Sequence, residues 1–137
     1  MLEIFCDGGS RGNPGPAAFG YVVFQDGQVL QKKGGYIGVA TNNFAEYTAI
    51  VEALTWLKEN HKGEELKFFL DSQLAASQLA GLYKVKDATI REFVFKIRTV
   101  EPDFSKVTYT HIPREQNKFA DQMVNLALDT RTSDLRN

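Results

Sequence analysis

Hydrophobic and polar positions change period along this chain, and the changes mark its elements. Leu2-Glu3-Ile4-Phe5-Cys6-Asp7 is a short apolar run that predicts a strand ending on an aspartate. Ala18 to Phe24 and Val29 to Ile37 are two further runs, rich in aromatic and β-branched residues. Gln25-Asp26-Gly27-Gln28 between them carries the Asp-Gly pair of a tight hairpin, so the first three strands are expected as an antiparallel meander. Gly34-Gly35 inside the third run predicts a bulge or the close approach of another backbone.

From Asn43 to Asn60 the period lengthens, with Ile50, Ala53, Leu54 and Leu57 at helical spacing and Thr41, Asn42 and Asn43 offering caps. Leu66 to Leu70 predicts a buried strand ending at Asp71. Helices are expected over Ser72–Leu82, Asp87–Val100 and Asn117–Leu128, with a strand over Lys106–Ile112. The segment from Arg131 onward is polar and is expected to fray. The order βββ-α-β-α-α-β-α implies an α/β protein with one mixed sheet, parallel in its second half, and helices packed on it.

Composition adds bounds. A chain of 137 residues with 43% hydrophobic and 24% charged residues can form one domain with its own core. A net charge of -1 supplies no global attraction for nucleic acid, although a local basic patch can coexist with an acidic pocket. One cysteine excludes an internal disulfide and disfavours a thiolate zinc site. The absence of a long apolar run or leader-like start leads us to expect a cytoplasmic protein with no membrane association.

Four acidic residues then change the picture. Asp7 ends the first strand beside Gly8-Gly9-Ser10-Arg11-Gly12-Asn13-Pro14-Gly15, a loop that reads as a shaped turn. Glu46 shares a helix face with Ile50, Ala53 and Leu57, where an unpaired charge is costly, although Asn43-x-x-Glu46 also fits a capping box. Asp121 heads the stripe of Val124 and Leu128; its bland reading is a charge near a helix N-terminus capped by Asn117. Asp71 can be read as a simple N-cap before Ser72. Together they place four carboxylates at the ends of adjacent central elements. Such a cluster repels itself, and hard divalent cations relieve the repulsion. Two such ions can clamp an in-line displacement at phosphorus, so metal-assisted phosphodiester hydrolysis is the chemistry the pattern suggests.

Asp7-Gly8-Gly9-Ser10-Arg11-Gly12-Asn13-Pro14-Gly15, Thr41-Asn42-Asn43-Phe44-Ala45-Glu46, Asp71-Ser72-Gln73 and His111-Ile112-Pro113-Arg114-Glu115-Gln116-Asn117-Lys118-Phe119-Ala120-Asp121 together resemble type 1 ribonuclease H. The resemblance implies the ribonuclease H-like fold, with a central five-stranded mixed sheet in which strands 1–3 are antiparallel and strands 4 and 5 run parallel to strand 1. Residues 1–130 would form the catalytic domain and residues 131–137 a polar tail.

The implied activity is endonucleolytic hydrolysis of the RNA strand of RNA–DNA hybrids, leaving 5′-phosphate and 3′-hydroxyl ends, with two Mg²⁺ or Mn²⁺ ions. Asp7, Glu46, Asp71 and Asp121 match the metal-binding catalytic carboxylates, with Asp7 shared between the ions. His111 matches a histidine that assists proton transfer or product release. Ser10, Asn13, Asn42 and Gln73 match minor-groove contacts that sense the 2′-hydroxyl, and Thr41 a phosphate pocket. No obligate protein partner is implied, and a monomer is expected. The chain departs from many bacterial members: Gly81 to Asp87 leaves no room for a basic protrusion, Lys84 and Lys86 are a modest substitute, and Asp87 stands where an asparagine is expected. Arg114 makes the chain similar to the compact archaeal and bacterial subgroup, and a relative that also cuts double-stranded RNA is an alternative reading. A catalytically weak binding module of the same fold is the other reading.

Overall fold

Asp26 and Gly27 both adopt positive φ, 51° and 78°, which closes a two-residue turn between β2 (Gly15–Gln25) and β3 (Gln28–Ala40). That hairpin continues β1 (Leu2–Ser10), which runs antiparallel to β2, so the predicted meander forms. The computed structural model describes residues 1–136. In it β4 (Glu65–Leu70) lies parallel to β1, and β5 (Lys106–His111) parallel to β4. The helices are α1 (Asn42–Asn60), α2 (Gln73–Leu79), α3 (Ala88–Val100) and α4 (Lys118–Thr130).

Sheet order is β5-β4-β1-β2-β3-β6, six strands where five were expected. The sixth, β6 (Leu135–Arg136), comes from the polar tail expected to fray. Arg131 turns the chain in the left-handed region at φ 50°, the Tyr36 amide donates to the Thr132 carbonyl at 2.8 Å, and Leu135 packs beside Ala127 and Leu128. One apolar residue in a polar segment carries no periodicity, so the pattern could not announce this strand.

The layers follow from alternation along the strands. Leu2, Ile4, Cys6, Tyr21, Val23, Leu66, Phe68 and Leu70 point to a core shared with α1, α2 and α3. The opposite face meets α4, whose Val124, Ala127 and Leu128 pack on Ala18. Gly34 meets the expected close approach: a Cβ there would lie 2.8 Å from the Met123 carbonyl oxygen, and one at Gly20 would lie 2.6 Å from that of Ala120. The α2 helix ends at Leu79 instead of Leu82, because the chain turns at Gly81, φ 81°, and the Leu82 amide donates back to the Ser77 carbonyl.

Candidate active site

Parallel pairing of β1 with β4 ends at Cys6 opposite Leu70, so the next residue on each strand, Asp7 and Asp71, emerges at the same sheet edge. Gly8 brings in the third carboxylate. A Cβ on Gly8 would sit 2.2 Å from the Ala45 carbonyl carbon and 2.3 Å from the Glu46 amide nitrogen, so only glycine lets α1 press against the strand there. Glu46 is thereby held beside Asp7. Asp7, Glu46 and Asp71 each offer an oxygen, and these atoms all lie within 4.8 Å of one another.

The bland alternatives fail for two of these acids. Thr41 caps α1, its hydroxyl accepting from the Phe44 amide at 3.1 Å, so Glu46 lies beyond the capping-box position. Ser72 caps α2 by accepting from the Ala75 amide, so the Asp71 carboxylate is not the cap.

The α4 helix presents Asp121 from the other face of the sheet. Its carboxylate accepts from Asn125 Nδ2 at 3.2 Å and stands 3.9 Å from Arg114 Nη2. Asn117 occupies the N-cap position of α4 but makes no side-chain capping bond. It is 1% exposed, and its Nδ2 donates to the Cys6 carbonyl at 2.9 Å and to Asp71 Oδ2 at 3.1 Å. Its position before a helix predicts a cap, although the family resemblance places Asn117 beside the site, and nothing in the hydrophobic pattern singles out Asn125. The one sequence signal for Asn125 is its position one helical turn after Asp121.

Burial and crowding raise the carboxyl pKa values. Asp7 is 8% exposed and is pushed up to about 8, first by burial and then by Asp71 and Asp121, against a bond from the Gly8 amide. Glu46 is pushed up to about 9 by burial, then by Asp7 and Asp71. Cys6, buried on the core side, has its thiol pushed up by the same desolvation and acids. A site of hard oxygen donors that resist ionising together fits a divalent cation of the Mg²⁺ or Mn²⁺ kind, and nothing in the donor set favours a soft metal.

These groups line a cleft of about 560 Å³ that brings together Asp7, Ser10, Asn42, Glu46, Asp71 and Asp121, with Arg114 and Asn125 beside them. Asn42 is a hinge point of its wall: Oδ1 accepts from the Ser10 amide at 2.8 Å, and its own amide donates to Asn13 Oδ1 at 3.1 Å. Asn13, Thr41, Gln73 and His111 stand outside the cleft lining. Asn13 and Thr41 flank it through Asn42, Gln73 is exposed in the first turn of α2, and His111 is exposed at the end of β5.

Residues 5–127 match the family described as reverse transcriptase-like. The chain is similar to ribonuclease HI of Halobacterium salinarum, 40% identical over 129 residues that cover 93% of this chain and 64% of that protein. It is also similar to LC11-RNase H1, solved in complex with an RNA/DNA hybrid, at 39% identity and a TM-score of 0.92, covering 96% of this chain and 99% of that one. The chain belongs to the type 1 ribonuclease H family.

A third relative, the bifunctional protein Rv2228c of Mycobacterium tuberculosis, is 36% identical over 130 residues that cover 93% of this chain and 35% of that protein. This chain thus spans about two thirds of the halobacterial relative and about one third of the mycobacterial one. Between α2 and α3 the described residues hold no further helix, in keeping with the absence of room for a basic protrusion. Asp87 there is an N-cap, its carboxylate accepting from the Ile90 amide at 3.0 Å. Among the described residues no helix is long and apolar enough to cross a membrane.

Proposed function

We propose that this protein hydrolyses the RNA strand of RNA–DNA hybrids, leaving 5′-phosphate and 3′-hydroxyl ends. The observation that carries the proposal is the convergence of Asp7, Glu46 and Asp71 within 4.8 Å, with Asp121 across the same cleft. These residues would hold two divalent cations, Mg²⁺ or Mn²⁺. When bound, such ions make water nucleophilic near neutral pH and offset charge developing on a phosphate. Ser10 and Asn42, locked by their mutual hydrogen bond, form the wall against which a ribose edge would lie. Small polar groups suit recognition of the 2′-hydroxyl, the feature that separates the RNA strand from DNA. Thr41 keeps its hydroxyl proton free for a phosphate while its oxygen caps α1. Gln73 and Asn13 would extend the contact surface, and His111, exposed at the end of β5, would assist proton transfer or product release.

We assign the catalytic unit to residues 1–130 and place the protein in the cytoplasm as a monomer that needs no protein partner. The test is cleavage of end-labelled RNA–DNA, RNA–RNA and DNA–DNA duplexes with Mg²⁺, with Mn²⁺ and with EDTA. Metal-dependent cutting confined to the hybrid's RNA strand is expected. Cutting of RNA–RNA at a comparable rate would widen the substrate class, and undiminished cutting in EDTA would refute the metal assignment.

A further inference from the structure

Beneath the carboxylates the same face of the sheet becomes aromatic. Side chains two apart on a strand share a face, so Phe5 follows Asp7 down β1 and Phe69 follows Asp71 down β4. The Phe5 and Phe69 rings stack with centroids 4.9 Å apart, Phe24 meets Phe5 edge-on at 5.5 Å, and Phe119 of α4 lies 6.0 Å from Phe24. None of these four belongs to either buried core, and Phe119 is 49% exposed. Between Phe5, Phe24 and Phe119 is a hollow of about 280 Å³, also lined by Asn117, whose buried Oδ1 has no hydrogen-bond partner.

The charge beside this row is positive, in a chain whose net charge is -1. Lys32 holds its ammonium 5.2 Å from the centre of the Phe119 ring, Lys118 precedes that ring in the chain, and Lys67 shares the sheet face through its register with Glu3. Among the described residues none of these three lysines is in an ion pair. Glu3, on the hollow's rim, opposes phosphate but can accept from a base amino group. Half-exposed ring surface at Phe119 beside ammonium groups in no ion pair is the combination that takes up single strands, because bases stack regardless of sequence while lysines follow the backbone. A purely apolar partner would leave those ammonium groups without a counter-charge.

We propose that the Phe5–Phe24–Phe119 hollow and its neighbouring rings bind unpaired bases of a single-stranded nucleic acid that continues from the catalytic cleft. Asn117 connects the two places directly, since it lines the hollow and holds Asp71. The consequence rests on the hybrid-cleaving reading: hybrids bordered by a single-stranded extension are preferred over blunt ones.

The experiment uses the full chain with Phe119→Ala and, at the rim, Lys32→Gln, so that one variant remains informative if the other folds poorly. Anisotropy of a short fluorescein-labelled oligodeoxyadenylate, read in EDTA so that nothing is cut, is expected to show salt-sensitive binding. Phe119→Ala is expected to weaken it at least about five-fold, the low end of one lost base–aromatic stack, and Lys32→Gln to weaken it and reduce its salt dependence. With Mg²⁺, parent and variants should cut a blunt hybrid equally, while the parent alone cuts an extended hybrid faster. Equal oligonucleotide binding by parent and variants, or none by the parent, overturns the proposal. So does sedimentation showing a dimer that Phe119→Ala dissolves without any oligonucleotide binding, which gives the face to a second copy. A parent that binds the oligonucleotide but cuts no hybrid would refute the activity and leave the hollow intact.

Discussion

Asn117 stands at the start of α4 yet leaves the helix uncapped, and its amide reaches instead to the Cys6 carbonyl and the Asp71 carboxylate. It therefore ties Cys6 of β1, the metal-binding candidate just past β4 and the helix that carries Asp121 into one unit. Groups that orient ligands in this way typically matter by about 10- to 100-fold in metal affinity or activity. Asn117→Ala is expected to lower cleavage by that order and to raise the Mg²⁺ concentration for half-maximal rate, which a titration of rate against Mg²⁺ checks. A rate loss with unchanged Mg²⁺ dependence would make Asn117 a purely structural residue. For Asp7→Asn, loss of more than about 100-fold in cleavage is expected, with a Tm in EDTA equal to or above the parent's because a self-repelling charge is gone. Near-parental cutting by that variant would end the assignment of Asp7.

Residue identity made the acids legible from sequence, since Glu46 and Asp121 interrupt apolar stripes. Side-chain direction was not legible. An asparagine before a helix fits both a cap and a strut, and only the buried carbonyl of Cys6 opposite it decides between them.

At the scale of elements, the site depends on how closely helices approach strands. The α1 helix rests on Gly8 with no space for a methyl group. Gly8→Ala must push the helix and Glu46 away, and overpacking of this kind costs about 1–3 kcal/mol. Denaturant unfolding should show that loss, and cleavage should fall with it even where the variant is fully folded. An unchanged midpoint and rate would mean that Glu46 does not need this contact. The Gly34-Gly35 pair signalled close packing in advance, because glycine inside a strand has few other uses. The length of α2 was hidden, because Ala80, Gly81 and Leu82 suit a helix by composition until Gly81 takes its positive φ.

At the scale of the whole molecule, the raised carboxyls link stability to pH. In the unfolded chain these groups ionise near pH 4, whereas folded Asp7 and Glu46 hold their protons up to about 8 and about 9. Between those limits the folded state binds more protons than the unfolded one, so stability contributed at low pH is lost as pH rises. In EDTA, the contribution of these groups to Tm is expected to fall as pH rises from about 4 through about 9, less steeply for Asp7→Asn, and Mg²⁺ should restore most of the loss at the alkaline end. Parallel slopes for parent and variant would contradict this linkage.

The docked tail gives a second test at this scale. Ending the chain after Thr130 removes β6, the Tyr36–Thr132 bond and the half-buried Leu135. A loss of about 1–2 kcal/mol in stability is expected, with cleavage per folded molecule retained. Loss of cleavage by the folded remainder would show that the catalytic unit extends past residue 130. The order of elements was legible in the sequence because helices and strands differ in period. The sixth strand was not, because two residues are too few to show one.

The candidate carboxylates reach the sheet edge on β1, α1, β4 and α4, and α4 follows all the other helices in the chain. A polypeptide still in synthesis therefore carries at most three of the four until α4 has cleared the ribosome. Three carboxylates without Asp121 form an incomplete set, so the candidate metal site is assembled only when α4 docks on the sheet.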